Sequence, residues 1–93
     1  MLDLDTILKL SDDIVLRGVS DKWWALNVKN GNQFKLNEVS YFMLDHLRTA
    51  TPISLMIEAV LEEYNVDREK LVEDCNAALQ VAIRNGIVEE VKS

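Results

Sequence analysis

Gly31-Asn32-Gln33-Phe34-Lys35-Leu36-Asn37-Glu38-Val39-Ser40 holds the change of period that decides the fold. Gln33 to Leu36 alternates as a strand does, with Phe34 and Leu36 on one face and Gln33 and Lys35 on the other. From Val39 onward the pattern is helical: Val39, Phe42, Met43, His46 and Leu47 fall on one face. Asn37 is a good N-cap, because its side-chain oxygen accepts a backbone N–H of the first turn, and Glu38 complements the helix dipole. Everything before this stretch reads as sheet and everything after as helix. A last strand that runs straight into a helix lies at a sheet edge, with backbone groups open to a partner.

Upstream, Asn30-Gly31 predicts a type I′ hairpin, since both residues tolerate positive φ. Trp23 to Val28 is then a second strand, with Trp24, Leu26 and Val28 on the expected core face and Trp23 on the other. There Trp23 either packs on a neighbour or anchors a partner. Ile14 to Val19 is short and β-branched, bounded by Asp13 and by Ser20-Asp21, and reads as the first strand. Residues 1–13 read as an extended arm leading to a turn at Ser11-Asp12-Asp13, and 14–93 as a single domain.

Downstream, Thr51-Pro52 reads as N-cap and first residue of a second helix carrying Ile53, Met56, Ile57, Val60, Leu61 and Tyr64 on one stripe, with Glu58, Glu62 and Glu63 in solvent. Asp67 caps a third helix that runs until Gly86, a left-handed stop. In that helix Leu71, Cys75, Ala78 and Ala82 form one apolar stripe, and Val72, Leu79 and Ile83 a second beside it. Either both are core, or one is left beside the third strand as the wall of a shallow groove. Ile87 to Val91 folds back on the core as a short apolar tail.

Composition limits what such a domain does. With 93 residues, 48% hydrophobic and 28% charged, the chain supports one small core. Its net charge of -6 and lack of a Lys/Arg stripe argue against nucleic acid. No apolar run approaches the ~20 residues of a membrane span, and the acidic start is unlike a secretory signal, so a cytoplasmic location without a membrane partner is expected. Cys75 has no disulfide partner and reads as a buried thiol; His46, the one histidine, reads as a hydrogen-bonded, half-buried imidazole without fellow metal ligands. No phosphate loop, metal spacing or nucleophile elbow is present, so neither catalysis nor a cofactor is expected.

From Trp24 to Val88 the order of features resembles the family of the pyrroloquinoline-quinone biosynthesis D protein (PqqD-like), whose domain is also called the RiPP precursor peptide recognition element. The residues that carry the resemblance are Gly31 to Val39 and the run Leu55 to Asp67 with its Tyr64-Asn65-Val66-Asp67 ending. Asp74, Leu79 and Gly86-Ile87-Val88 complete it. Gln33 stands where an aromatic is common, and Thr49-Ala50-Thr51-Pro52 lacks the usual Gly of that turn. The resemblance implies an α+β, winged-helix-like fold, a three-stranded antiparallel sheet followed by three helices.

It further implies a stand-alone, non-catalytic chaperone that binds the leader of a ribosomally made precursor peptide. The leader adds as a strand beside Gln33, Phe34, Lys35 and Leu36. Val72, Cys75, Asn76 and Leu79 of the third helix shape side-chain pockets, with Asp74 in reserve as a polar contact. Delivery to a modifying enzyme, such as a radical-SAM protein, a cyclase or a leader protease, is the implied role. The acidic charge favours a basic leader or a basic enzyme surface. Two other readings fit the shape: a winged helix-turn-helix DNA-binding regulator, opposed by Glu69, Glu73 and Asp74 at the start of the third helix, and a structural subunit that homodimerises through its sheet edge.

Overall fold

Ala25, fully buried between Leu16 and Phe34 in the middle of a three-stranded sheet, shows which face of that sheet is core. The computed structural model describes residues 2–92. In chain order these form β1 (Ile7–Leu10), β2 (Ile14–Val19), β3 (Lys22–Asn27), β4 (Gln33–Leu36), α1 (Glu38–His46), β5 (Thr51–Pro52), α2 (Ile53–Glu63), α3 (Arg68–Arg84) and β6 (Val88–Glu90). The expected antiparallel sheet is β2-β3-β4, followed by the three helices, so the α+β reading holds. A second antiparallel sheet, β5-β1-β6, was not foreseen.

That second sheet gathers distant parts of the chain. Residues 1–13, read as an arm, contain β1, whose Leu8 and Leu10 are buried in the same core cluster as the helices. Ile7 and Leu8 pair with Pro52 and Thr51 on one side, and Leu8 to Leu10 pair with Glu90 to Val88 on the other. The closing apolar tail is thus a strand. Backbone bonds tie this sheet to its surroundings, among them Leu10 N–H to the Leu47 carbonyl at 2.6 Å and Ser11 N–H to the Ile87 carbonyl at 2.9 Å.

Several local readings are corrected. Trp24 is half-buried on the outer face of β3, while Ala25 and Trp23 face inward; the register sets Ala25 opposite the buried Leu16 and Trp23 opposite Gly18 and Leu36. Trp23 packs against Tyr41 of α1, ring centroids 6.5 Å apart, where a Cβ on Gly18 would meet the indole at 2.9 Å. The type I′ geometry belongs to Ser20-Asp21, both at positive φ (48° and 65°) in a two-residue connection closed by the Val19–Lys22 pair. At Asn30-Gly31 only Gly31 is left-handed. Its N–H donates to the Asn27 carbonyl, which makes a longer loop.

Thr51-Pro52 does not cap α2 in the expected way. The pair is β5, Pro52 occupies the N-cap without a side-chain bond, and the Thr51 hydroxyl donates to the His46 and Thr49 carbonyls, closing the end of α1. The other helix ends agree with expectation. Asn37 Oδ1 accepts from Ser40 N–H at 2.7 Å and Asp67 Oδ2 from Lys70 N–H at 3.1 Å. Gly86, at φ 71°, completes a Schellman stop with Ile87 N–H on the Ala82 carbonyl and Gly86 N–H on the Ile83 carbonyl.

If β1 is a core strand, truncating Leu8 leaves a cavity that neither neighbouring strand can fill. Leu8→Ala should destabilise the fold by about 2–5 kcal/mol in urea unfolding, whereas Val15→Ser on the outer sheet face should stay within about 0.5 kcal/mol of wild type. Equal effects of the two changes would mean that β1 is a detachable arm.

Candidate functional site

β4 is bonded to the sheet on one side only. Trp23, Trp24, Ala25 and Leu26 of β3 pair with Leu36, Lys35, Phe34 and Gln33. In an antiparallel pair alternate residues turn their N–H and C=O toward the neighbour, so the remaining backbone groups of β4 face outward. Among the described residues no backbone group outside the sheet bonds them. Phe34 and Leu36 point to the inner side, where both pack against the core, while Lys35 shares the outer face with Trp24.

Opposite this free edge runs the C-terminal half of α3. Leu71, Cys75, Leu79 and Ala82 are its buried stripe. One step around the helix, Ala78, Val81 and Asn85 are exposed and, with Phe34, Leu36 and Met43, line a cavity of about 300 Å³ between β4, α1 and α3. The small Ala78 keeps the floor low. A second cavity of about 380 Å³ continues along α3 toward its N-terminus, and the two share Ser40, Met43 and Ala78. Together they make one trough, apolar beside β4 and polar at the far end, where Asn37, Asp67, Lys70 and Asp74 stand. Asn37 and Asp67 are occupied as helix caps. Asp74 and Lys70 form no ion pair among the described residues, so one charge of each sign is available there.

Cys75 lies beneath the trough. Its Sγ sits 3.2 Å from Met43 Sδ, and the residue is 2% exposed. Burial, with a lesser contribution from the Asp74 carboxylate, pushes the thiol up to about 11. It fills space and stays protonated at neutral pH. His46 is held as expected, with Nδ1 3.1 Å from the Phe42 carbonyl and the two rings 4.6 Å apart. Among the described residues no group of His, Cys, Asp and Glu is arranged to hold a metal ion, and no helix is long and apolar enough to cross a membrane.

The sequence-expected site residues are therefore divided. Phe34, Lys35, Leu36 and Leu79 border the apolar half of the trough, and Asp74 and Cys75 border the polar half. Val72 and Asn76 lie on the opposite flank of α3 with Leu2 and Leu4, where Leu2 N–H donates to Asn76 Oδ1 at 2.8 Å. Gln33 is on the outer sheet face. Val81, Asn85 and Ser40 are absent from the sequence-expected site, and Ala78 enters it only as part of an apolar stripe. The spacing Asp74, Ala78, Val81, Asn85 is itself a helical stripe, and starting from Asp74 would have found it.

The family model described as coenzyme PQQ synthesis protein D (PqqD) matches residues 22–88, most of the chain and every element from β3 to the start of β6. Among solved structures, TbiB1 in complex with the TbiA(beta) leader peptide is 24% identical with a TM-score of 0.77, covering 91% of this chain and 99% of that one. No curated protein matches.

The raised thiol pKa has a measurable consequence. Relative to an unfolded thiol near 9, a native value of about 11 leaves roughly a hundredfold less thiolate at neutral pH, so alkylation of Cys75 should be at least that much slower in the native protein than in urea. The proton is held more tightly in the folded state, so this contribution to stability is complete below pH 9 and is lost as pH rises from about 9 to about 11. Rapid native-state labelling at pH 7 would show Cys75 to be accessible.

Proposed function

We propose that this protein, which belongs to the coenzyme PQQ synthesis protein D family, is a non-catalytic peptide-binding chaperone that holds the leader segment of a ribosomally made precursor peptide and delivers it to a modifying enzyme or leader protease. The observation that carries the reading is the free edge of β4 standing over an apolar trough walled by α3. An extended peptide placed there gains main-chain hydrogen bonds from β4 and side-chain burial from the trough, the two components of strand addition. The likeness in fold to TbiB1, solved with a leader peptide, supports the same assignment.

On this reading the work is divided among the residues of the trough. The outward N–H and C=O groups of Gln33 to Leu36 fix the register of the peptide without regard to its sequence. Alternate side chains of the added strand turn down toward Phe34, Leu36, Leu79 and Val81, where apolar groups are favoured. Where the trough runs on past Leu36, Asp74 and Lys70 offer a charged end. Val72 and Asn76 take no part, since the N-terminal segment covers them. Cys75 and Leu79 act from below by setting the depth of the floor.

No reaction step is assigned to any residue here. A domain of this kind works by holding: once the leader is bound and the enzyme is engaged, attack on the rest of the precursor becomes intramolecular, at effective concentrations on the order of millimolar for short flexible linkages.

Fluorescence polarisation of labelled leader peptides from small reading frames beside this chain tests the reading. Wild type should bind one of them saturably. Val81→Arg, a change at a half-exposed position, should weaken binding by more than about tenfold without unfolding the protein. Phe34→Ala should also weaken binding, and Asn76→Ala should leave it within about twofold. Binding that ignores Val81→Arg but falls with Asn76→Ala would move the site to the other flank of α3.

A further inference from the structure

A solvent-facing side of an antiparallel sheet is expected to alternate toward polar residues, and the outer face of β2-β3-β4 does not. Val15, Val19, Trp24, Leu26 and, just past β3, Val28 line an open hollow of about 420 Å³ there. Val19 is 57% and Val28 66% exposed. Within the paired strands the charges on this face are Arg17, Lys22 and Lys35; the nearest carboxylate in register is Asp13 at its end, opposite Val28, whose N–H donates to the Asp13 carbonyl. None of the three takes part in an ion pair among the described residues, although the chain has 16 acidic residues for 10 basic ones. An apolar hollow flanked along its paired strands by three cations and no anion, on a protein of charge -6, is a local reversal of the surface as a whole.

We propose that this face docks a second protein whose contact surface places an apolar side chain among carboxylates. Resting on the leader-binding reading, that protein is the enzyme that modifies the bound precursor. Charge complementarity selects this occupant. A two-fold pairing of this face with itself would bring the cations of one copy against the cations of the other, and like charges brought together oppose association. Pairing it with an acidic patch elsewhere on a second copy is head-to-tail and generates rings or open chains. A membrane surface fits less well, because insertion uses protruding apolar side chains and the apolar surface here is a hollow.

The position on the sheet gives the proposal its use. The trough lies on the α1 side of the sheet and the hollow on the other, so a peptide added at β4 and a protein seated on the outer face do not compete. Overall charge would have assigned a basic surface to the enzyme. The local charge of this face assigns an acidic one.

The test compares wild type with Arg17→Glu and Val28→Glu, both on the outer face, and with Val81→Arg in the trough. The probes are the labelled leader of the neighbouring precursor and the purified modifying enzyme encoded beside this chain. The outer-face variants should lose about tenfold or more in enzyme affinity while leader affinity stays within about twofold, and Val81→Arg should do the reverse. Enzyme affinity of wild type should fall with added salt. Enzyme affinity unchanged by both outer-face variants, or absent in wild type, overturns the proposal. So does a loss confined to self-association in sedimentation or to binding of phosphatidylserine vesicles. Enzyme docking that depends on Arg17 in a protein that binds no leader would leave this face standing and remove the leader-binding reading instead.

Discussion

The inward placement of Ala25 governs the rest of the structure. Its methyl group is the smallest side chain that still gives the sheet a core face, and with Leu16 and Phe34 beside it the sheet offers α1 a flat seat. Met43 and Leu44 are the buried residues of α1 and share one core cluster with Leu16 and Ala25. A strand has a period of two, so fixing Ala25 inward sends Trp24 and Leu26 outward without further choice. The same decision turns Phe34 and Leu36 of β4 toward α3 and leaves Gln33 and Lys35 on the opposite side. Both the trough and the outer hollow follow from one methyl group packed under a helix.

The second sheet explains how so short a chain keeps β4 free. A strand edge is usually blunted by a covering element, and the obvious candidates here are the two ends of the chain. Both are engaged elsewhere: β1 is bonded between β5 and β6, and the segment before it reaches across to Asn76 on α3. Leu8 and Val88, 0% and 2% exposed, are the apolar contacts that hold the ends there. Among the described residues, the segments on either side of the sheet are thus engaged away from β4. The helix that follows β4 contributes as well, because Asn37 caps α1 immediately after Leu36 and leaves no length of chain to fold over the strand.

Local chemistry was the legible part of the sequence. Asn37, Asp67 and Gly86 each act through backbone groups within a few residues, and each does in the structure what its residue type requires. The edge strand and the helical order were readable for the same reason. What depended on distant partners was not. Trp24 shares a strand face with the apolar Leu26 and Val28 and so reads as core, yet the two strands beside β3 decide which face is buried, and they place the smaller Ala25 inside. Ser20-Asp21 was passed over for Asn30-Gly31 because Asn-Gly is the stronger local signal, although the pairing of Val19 with Lys22 leaves room for only two residues. β1 and β6 are strands because they find each other over some eighty positions, and nothing in Ile7 to Leu10 alone records that. Val72 and Asn76 were expected beside the third strand but stand on the other flank of α3, because the two flanks are both apolar and only the docking of Leu2 against Asn76 tells them apart.

The consequence for mechanism is that β4 belongs to two surfaces at once. Its backbone and its inward side chains border the trough, while Lys35 projects with Trp24 and Arg17 on the other face. A peptide added at this edge extends the sheet by one strand, and the new strand's outward side chains join the outer face. A protein seated on that face would therefore touch the leader directly and gain contact area only when the leader is present. That is positive coupling between two ligands with no change of shape required of the domain, and by linkage the enzyme would strengthen leader binding by the same factor. Because the coupling is reciprocal, it would favour the three-component assembly whichever partner bound first, through a strand that both would share.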